Sequence, residues 1–139
     1  MSLSIRNRLA GTVTDVAAGE AMTTVKVRLE GGQDIVAAIT SDAARELGLA
    51  AGSAVRALVK ATEVALANEA VDNISIRNQL AGTVAGISVG AAMATVTVVV
   101  NDSVLTAAVT RDAVEALGLA AGAPVIALIK STEVALALD

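Results

Sequence analysis

Arg6 and Arg77, with Lys60 and Lys130, are the basic residues that hold equivalent places in the two halves of this 139-residue chain. The other basic residues are not kept: Arg8 stands against Gln79, Lys26 against Thr97, Arg28 against Val99, Arg45 against Glu115 and Arg56 against Ile126. Ser4/Ser75, Asn7/Asn78, Thr12/Thr83, Thr24/Thr95, Thr40/Thr110 and Thr62/Thr132 are shared, and among the acids only Asp42/Asp112 and Glu63/Glu133. Arginine offers a planar fork of N–H donors, lysine a compact ammonium, and serine and threonine hydroxyls that turn to suit an acceptor. Such a set suits a small tetrahedral oxyanion. A unit-charge pair at about 4 Å contributes roughly 4 kcal/mol at an effective dielectric of 20, before desolvation is subtracted.

Each of these residues also has a structural reading. Lys60 and Glu63 could form a local ion pair, Asn7 suits a turn, and Thr40, Ser41 and Asp42 are helix N-cap types. It is the joint retention of Arg, Lys, Ser and Thr in both copies that favours a binding role, because stability alone does not require those types.

The chain has no Cys, His or aromatic residue. Disulfides, thiolate metal sites, Ser-His or Cys-His nucleophiles and imidazole acid–base chemistry are thereby excluded. Asp42 and Glu63 are separated by a predicted helix and strand, so no carboxylate pair is set up for general acid–base work, and no enzyme is expected. A net charge of −4 and the lack of base-stacking side chains argue against nucleic acid as a partner. Although 55% of residues are hydrophobic, no apolar run approaches the ~18 residues of a membrane span. MSLSIRNRLAGT lacks the apolar core of a signal peptide, so a soluble cytoplasmic protein is expected.

Residues 4–29 align with 75–100, and 35–67 with 105–137, with identity at about 36 of 59 positions. The chain therefore reads as a tandem duplication, with units 1–68 and 75–139 joined by a short polar linker over 69–74. Within each unit, alternation predicts strands over 12–17, 24–29 and the DIVAAI segment. A short helix DAAREL ending at Gly48 follows, and AVRALVK and EVALAL close the unit. Five short strands with a helix between the third and fourth is the element order of an OB-fold, so the fold class expected is all-β with short helices, as tandem five-stranded OB-like barrels. A unit of roughly 65 residues is marginal as a single core, so packing into a homo-oligomer of closed symmetry is expected.

S-x-R-N-x-L-x-G at 4–11 and 75–82, A-[IV]-T ahead of a helix ending in L-G-L, and A-L-[VI]-K-[AS]-T-E-V at 57–64 and 127–134 resemble the Mop domains of the molbindins. Those domains are related to the TOBE domains of molybdate importers and of a molybdate-responsive regulator. The resemblance covers nearly the whole chain. It implies an OB-like barrel per unit, no cofactor, and intracellular binding of molybdate or tungstate for storage or homeostasis by a trimer of two-domain chains. It implies that the oxyanion sits between neighbouring units, with Ser4, Arg6, Thr40, Lys60 and the backbone amide of Ala61 in one class of site. Ser75, Arg77, Thr110, Lys130 and Ser131 are the second-copy equivalents. Ser41 is replaced by Arg111, and Ala61 by Ser131, which makes sites built from different copies unequal. Asn7 and Asn78 are candidates for further sites near the three-fold axis. The alternative function is a molybdate-responsive sensor or interaction module that acts through a partner protein.

Overall fold

The computed structural model describes residues 2–139. The first copy forms β1 (Asn7–Ala18), β2 (Met22–Leu29), β3 (Asp34–Thr40), α1 (Ser41–Glu46), β4 (Ala54–Val59) and β5 (Ala65–Ala67). The second forms β6 (Asn78–Val89), β7 (Met93–Val100), β8 (Ser103–Thr110), α2 (Arg111–Leu117), β9 (Pro124–Ile129) and β10 (Ala135–Leu138). A 3-10 turn, Ala61–Glu63 or Ser131–Glu133, separates the last two strands of each copy. The five strands and one helix per copy agree with the order expected from the sequence. No helix among the described residues is long and apolar enough to cross a membrane.

β2 shows why alternation was a sound guide: Thr23, Val25, Val27 and Leu29 are buried while the residues between them face out. β1 starts earlier than the alternation over 12–17 suggests, because its first half pairs with β4 from Asn7↔Val59 to Thr12↔Ala54 and its second half pairs with β2. A register shift between Val13 and Asp15 bends the strand between these two partners. Gly11 lies at the crossing, paired with both Leu29 and Val55. A Cβ there would sit 2.6 Å from Val27 Cγ1 and 2.7 Å from the Arg28 carbonyl oxygen, and at Gly82 one would sit 2.5 Å from the Val99 oxygen. Close backbone approach in a curled sheet thus accounts for the glycine of the repeated motif.

Both helices are capped by threonine: Thr40 Oγ1 accepts from Ala43 N at 3.2 Å and Thr110 Oγ1 from Ala113 N at 3.1 Å. Gly48 and Gly118, at φ +59° and +63°, leave the helices through the left-handed region. Asp42, one of the cap types, instead pairs with Arg45 one turn on.

The two sheets are not the two sequence repeats. One sheet has the order β10-β4-β1-β2-β3, the other β5-β9-β6-β7-β8. Each curled sheet therefore takes its fifth strand from the other copy, with Ala135↔Leu58 to Leu138↔Val55 in one and Ala65↔Leu128 to Ala67↔Ile126 in the other. One continuous apolar core includes Val25, Ile35 and Val59 from the first copy and Val96, Leu105 and Ile129 from the second. The joining segment runs from β5 to β6, two strands of the same sheet, and is pinned there by Gln79, whose side-chain amide bonds both the N–H and the carbonyl of Val71 at 3.0 and 2.8 Å.

The outer faces of the sheets differ in kind. The first carries Arg28 and Asp34 directly opposed in an ion pair, with Lys26 3.8 Å from the same carboxylate, and Arg56 bonded to Asp139. The Arg28 hydrogen bond holds the Asp34 carboxyl below the usual aspartate range. The matching positions in the second sheet are Thr97, Val99, Val104 and Ile126, with Val99 and Val104 paired and 38% and 58% exposed.

Ser41 was expected at the anion site, but it is a core residue. Its hydroxyl is buried, donates to the Gly19 carbonyl at 2.8 Å and so accepts from Thr23 Oγ1 at 2.9 Å. In the second copy both partners change together, to Ala94 and Arg111.

Ser41→Ala should cost about 1–3 kcal/mol, since it orphans the Thr23 hydroxyl and the Gly19 carbonyl; urea denaturation measures the loss. Removing residues 135–139, at the end of the second copy, should raise amide hydrogen exchange in Val55–Leu58 of the first copy. Unchanged protection there would contradict the strand exchange.

Candidate anion-binding site

Lys60 directly follows β4 and Lys130 directly follows β9, and each is the N-cap residue of the 3-10 turn that leads to the exchanged strand. Because β10 lies beside β4, the second copy's turn arrives next to Lys60, and the first copy's turn likewise next to Lys130. Two related hollows result. One, of about 420 Å³, brings Ile5, Ala38, Thr40 and Lys60 together with Thr132 and Glu133 of the other copy. The second, of about 320 Å³, brings Ile76, Ala108 and Lys130 together with Thr62 and Glu63 of the other copy, and Glu133 borders it as well.

Charge bookkeeping separates these lysines from the rest of the surface. Lys26, Arg28, Arg45, Arg56 and Arg111 all lie in ion pairs. Each of the five is replaced in the other copy, Arg111 by Ser41. The four shared cations, Arg6, Arg77, Lys60 and Lys130, have no carboxylate partner among the described residues. The local Lys60–Glu63 pair that the sequence allowed is not formed. Glu63 and Glu133 instead border the hollows, where their charge reduces the pull on an anion without neutralising a lysine.

The other expected residues divide. Thr40 lines the Lys60 hollow; its oxygen caps α1, which leaves its hydroxyl hydrogen free to donate. Thr110 caps α2 in the same way, but it does not line the Lys130 hollow. No side chain caps the turns that start with Ala61 and Ser131. Ser131 Oγ is buried and without a hydrogen-bond partner, so this hydroxyl, absent at Ala61, has its bonding capacity open.

Ser4, Arg6, Ser75 and Arg77 are exposed and lie outside the walls of the hollows, which their neighbours Ile5 and Ile76 reach. The Arg6 guanidinium donates to the carbonyls of Ser4 at 3.2 Å and Leu3 at 2.7 Å, which leaves three of its five N–H groups for another acceptor. Arg111, the counterpart of Ser41, pairs with Glu115 along its own helix.

Asn7 and Asn78 do not serve as free donors. Both are buried, at 1% and 3% exposure. Asn7 Nδ2 donates to the Thr106 carbonyl at 2.8 Å and its Oδ1 accepts from Thr106 N at 2.7 Å. Asn78 makes the same two bonds, both 2.8 Å, with Val36. The carboxamides are thus committed to the other copy's backbone. Their sequence signal, a shared polar residue, does not distinguish an amide that binds ligand from one that binds main chain.

A TOBE domain model matches residues 3–66 and again 74–136. The chain superposes, with a TM-score of 0.96 and 40% identity over the full length of both, on a crystal structure of the cytoplasmic molybdate-binding protein ModG with molybdate bound. It is 42% identical to the molybdenum-pterin-binding protein MopB of Rhodobacter capsulatus, over 97% of this chain and 51% of that protein. It is 37% identical to the molybdenum transport protein ModE of Herbaspirillum seropedicae, over 100% of this chain and 52% of that one. The chain spans about half the length of these curated relatives. The motif pair, the exchanged five-stranded sheets and these matches agree: the chain belongs to the TOBE domain family and carries two copies of the domain.

Proposed function

We propose that this chain binds molybdate, and tungstate as its close chemical analogue, as a non-enzymatic cytoplasmic oxyanion carrier for molybdenum storage and homeostasis. The observation that carries this reading is the segregation of cations: among the described residues, every basic residue kept in both copies lacks a carboxylate partner, whereas those found in ion pairs are kept in one copy only. Unpaired cations held twice at equivalent places are what a small dianion requires. Lys60 with the Thr40 hydroxyl at one hollow, and Lys130 at the other, supply donors to a fully deprotonated tetrahedral anion. The neutral donors and the bordering Glu133 moderate the attraction, which favours reversible release. The ModG neighbour, described as cytoplasmic and seen with molybdate bound, supports the choice of ligand and compartment.

Ser4, Arg6, Ser75 and Arg77 stand outside the hollows with donors unused, so the anion sites close when a neighbouring chain brings its Ser-x-Arg segment to a lysine. A homotrimer fits this incompleteness. Exposed Met22, Met93, Val99 and Val104 add apolar surface for such packing. A second reading, a sensor acting through a partner protein, is favoured by the uncharged outer face of the second sheet. A pull-down with and without molybdate separates the two, since a store retains no ligand-dependent partner.

Isothermal titration with molybdate should give saturable binding. Lys60→Ala, at an exposed position, should weaken binding about tenfold to a hundredfold, the loss of one charge-assisted hydrogen bond, with the fold retained by circular dichroism. A folded wild-type chain that took up neither molybdate nor tungstate would end this reading.

A further inference from the structure

β3 and β8 are the edge strands of their sheets. Along an antiparallel edge, alternate residues turn both N–H and carbonyl away from the sheet. Val36 and Thr106 are such residues, since both groups of each are bonded to Asn78 and Asn7. The register of β3 on β2 and of β8 on β7 runs without a shift. Ala38 and Ala108, two residues on, therefore also turn their N–H outward. The next residues of opposite parity support this: Ser41 N and Arg111 N point inward, to the carbonyls of Ala21 and Ala92 at 2.9 Å. Among the described residues, no other element accepts a hydrogen bond from the N–H of Ala38 or Ala108. Ala38 lines the Lys60 hollow and Ala108 lines the Lys130 hollow.

We infer that the free backbone N–H groups of Ala38 and Ala108 are oxyanion donors, and that Asn78 and Asn7 are the positioning residues that hold them in place. The inference rests on the anion-binding reading and adds to it a donor on each hollow that no side chain reveals. An exposed strand edge is mobile and open to pairing with any other strand. Two bonds from one carboxamide, 2.7–2.8 Å long, fix it at a single residue, Val36 or Thr106, two positions before the alanine that lines the hollow. The arrangement is crossed. Asn7, in the segment whose Ile5 borders the Lys60 hollow, fixes the strand that lines the Lys130 hollow; Asn78 does the reverse.

The test is a two-dimensional amide NMR titration of the full chain with molybdate. In the wild type the Ala38 and Ala108 amide resonances should both shift on saturation. In Asn7→Ala the Ala108 response should be largely lost while the Ala38 response persists, and Asn78→Ala should show the mirror pattern. Loss of both responses in either variant would indicate general structural damage and overturn the positioning role. Ala108→Pro removes the outward N–H without removing a ladder bond, because that N–H faces away from β7. It should weaken binding at the Lys130 hollow severalfold and leave the Ala38 shift intact, which keeps the donor role testable if Asn7→Ala fails to fold. If wild-type resonances around Lys60 and Lys130 move but Ala38 and Ala108 do not, the present inference falls and the anion reading stands. If no resonance moves, the anion reading itself falls.

Discussion

Backbone pairing between the last strand of each copy and the fourth strand of the other is the interaction on which the rest of this molecule depends. It joins two small units into one continuous core, which offsets the poor surface-to-volume ratio of each unit alone. It also places the 3-10 turn of one copy beside the lysine of the other. Without the exchange neither hollow would have two walls. The chemistry and the topology are therefore one problem, and the short turns between fourth and fifth strands belong to both.

The electrostatics follow the same division of labour. Ion pairs decorate the first sheet and the helices, where exposure makes each of them a minor contributor to stability. Evolution of one copy away from the other has been free to add or remove them, as the change from Arg28 and Asp34 to Val99 and Val104 illustrates. The hollows show the opposite behaviour. Their lysines, their bordering threonines and glutamates recur in both copies, and the lysines have no carboxylate partner among the described residues.

Much of the fold was legible because alternation and turn chemistry are local. Val25, Val27 and Leu29 point inward as their spacing implies, and Gly48 and Gly118 end the helices. The exchange was not legible for a definite reason: residues 65–67 and 135–137 are the same tripeptide, Ala-Leu-Ala, so sequence assigns no preference for one fourth strand over the other. Among the candidate site residues, Thr40 and Lys60 line one hollow and Lys130 the other, while Ser131 has a buried hydroxyl without a bond. Ser41, Asn7 and Asn78 were misread because a polar side chain looks the same in sequence whether it meets ligand, core hydroxyl or backbone. Their burial and the buried bonds of Ser41 to Thr23 decide the matter. Ala38 and Ala108 carried no side-chain signal at all; strand parity at an edge is a property of the assembled sheet.

The exchange has a mechanical consequence. Both ends of the chain enter the same sheet: β1 and β10 flank β4 and run parallel to each other. Asn7 begins β1 opposite Val59, whereas Leu138 ends β10 opposite Val55, so the two termini leave the sheet at opposite ends. A tensile load applied between them acts along the strands. The hydrogen bonds of β1–β4 and β4–β10 are then loaded together in shear instead of opening one at a time, and the linker between the repeats bears none of the force until that sheet gives way.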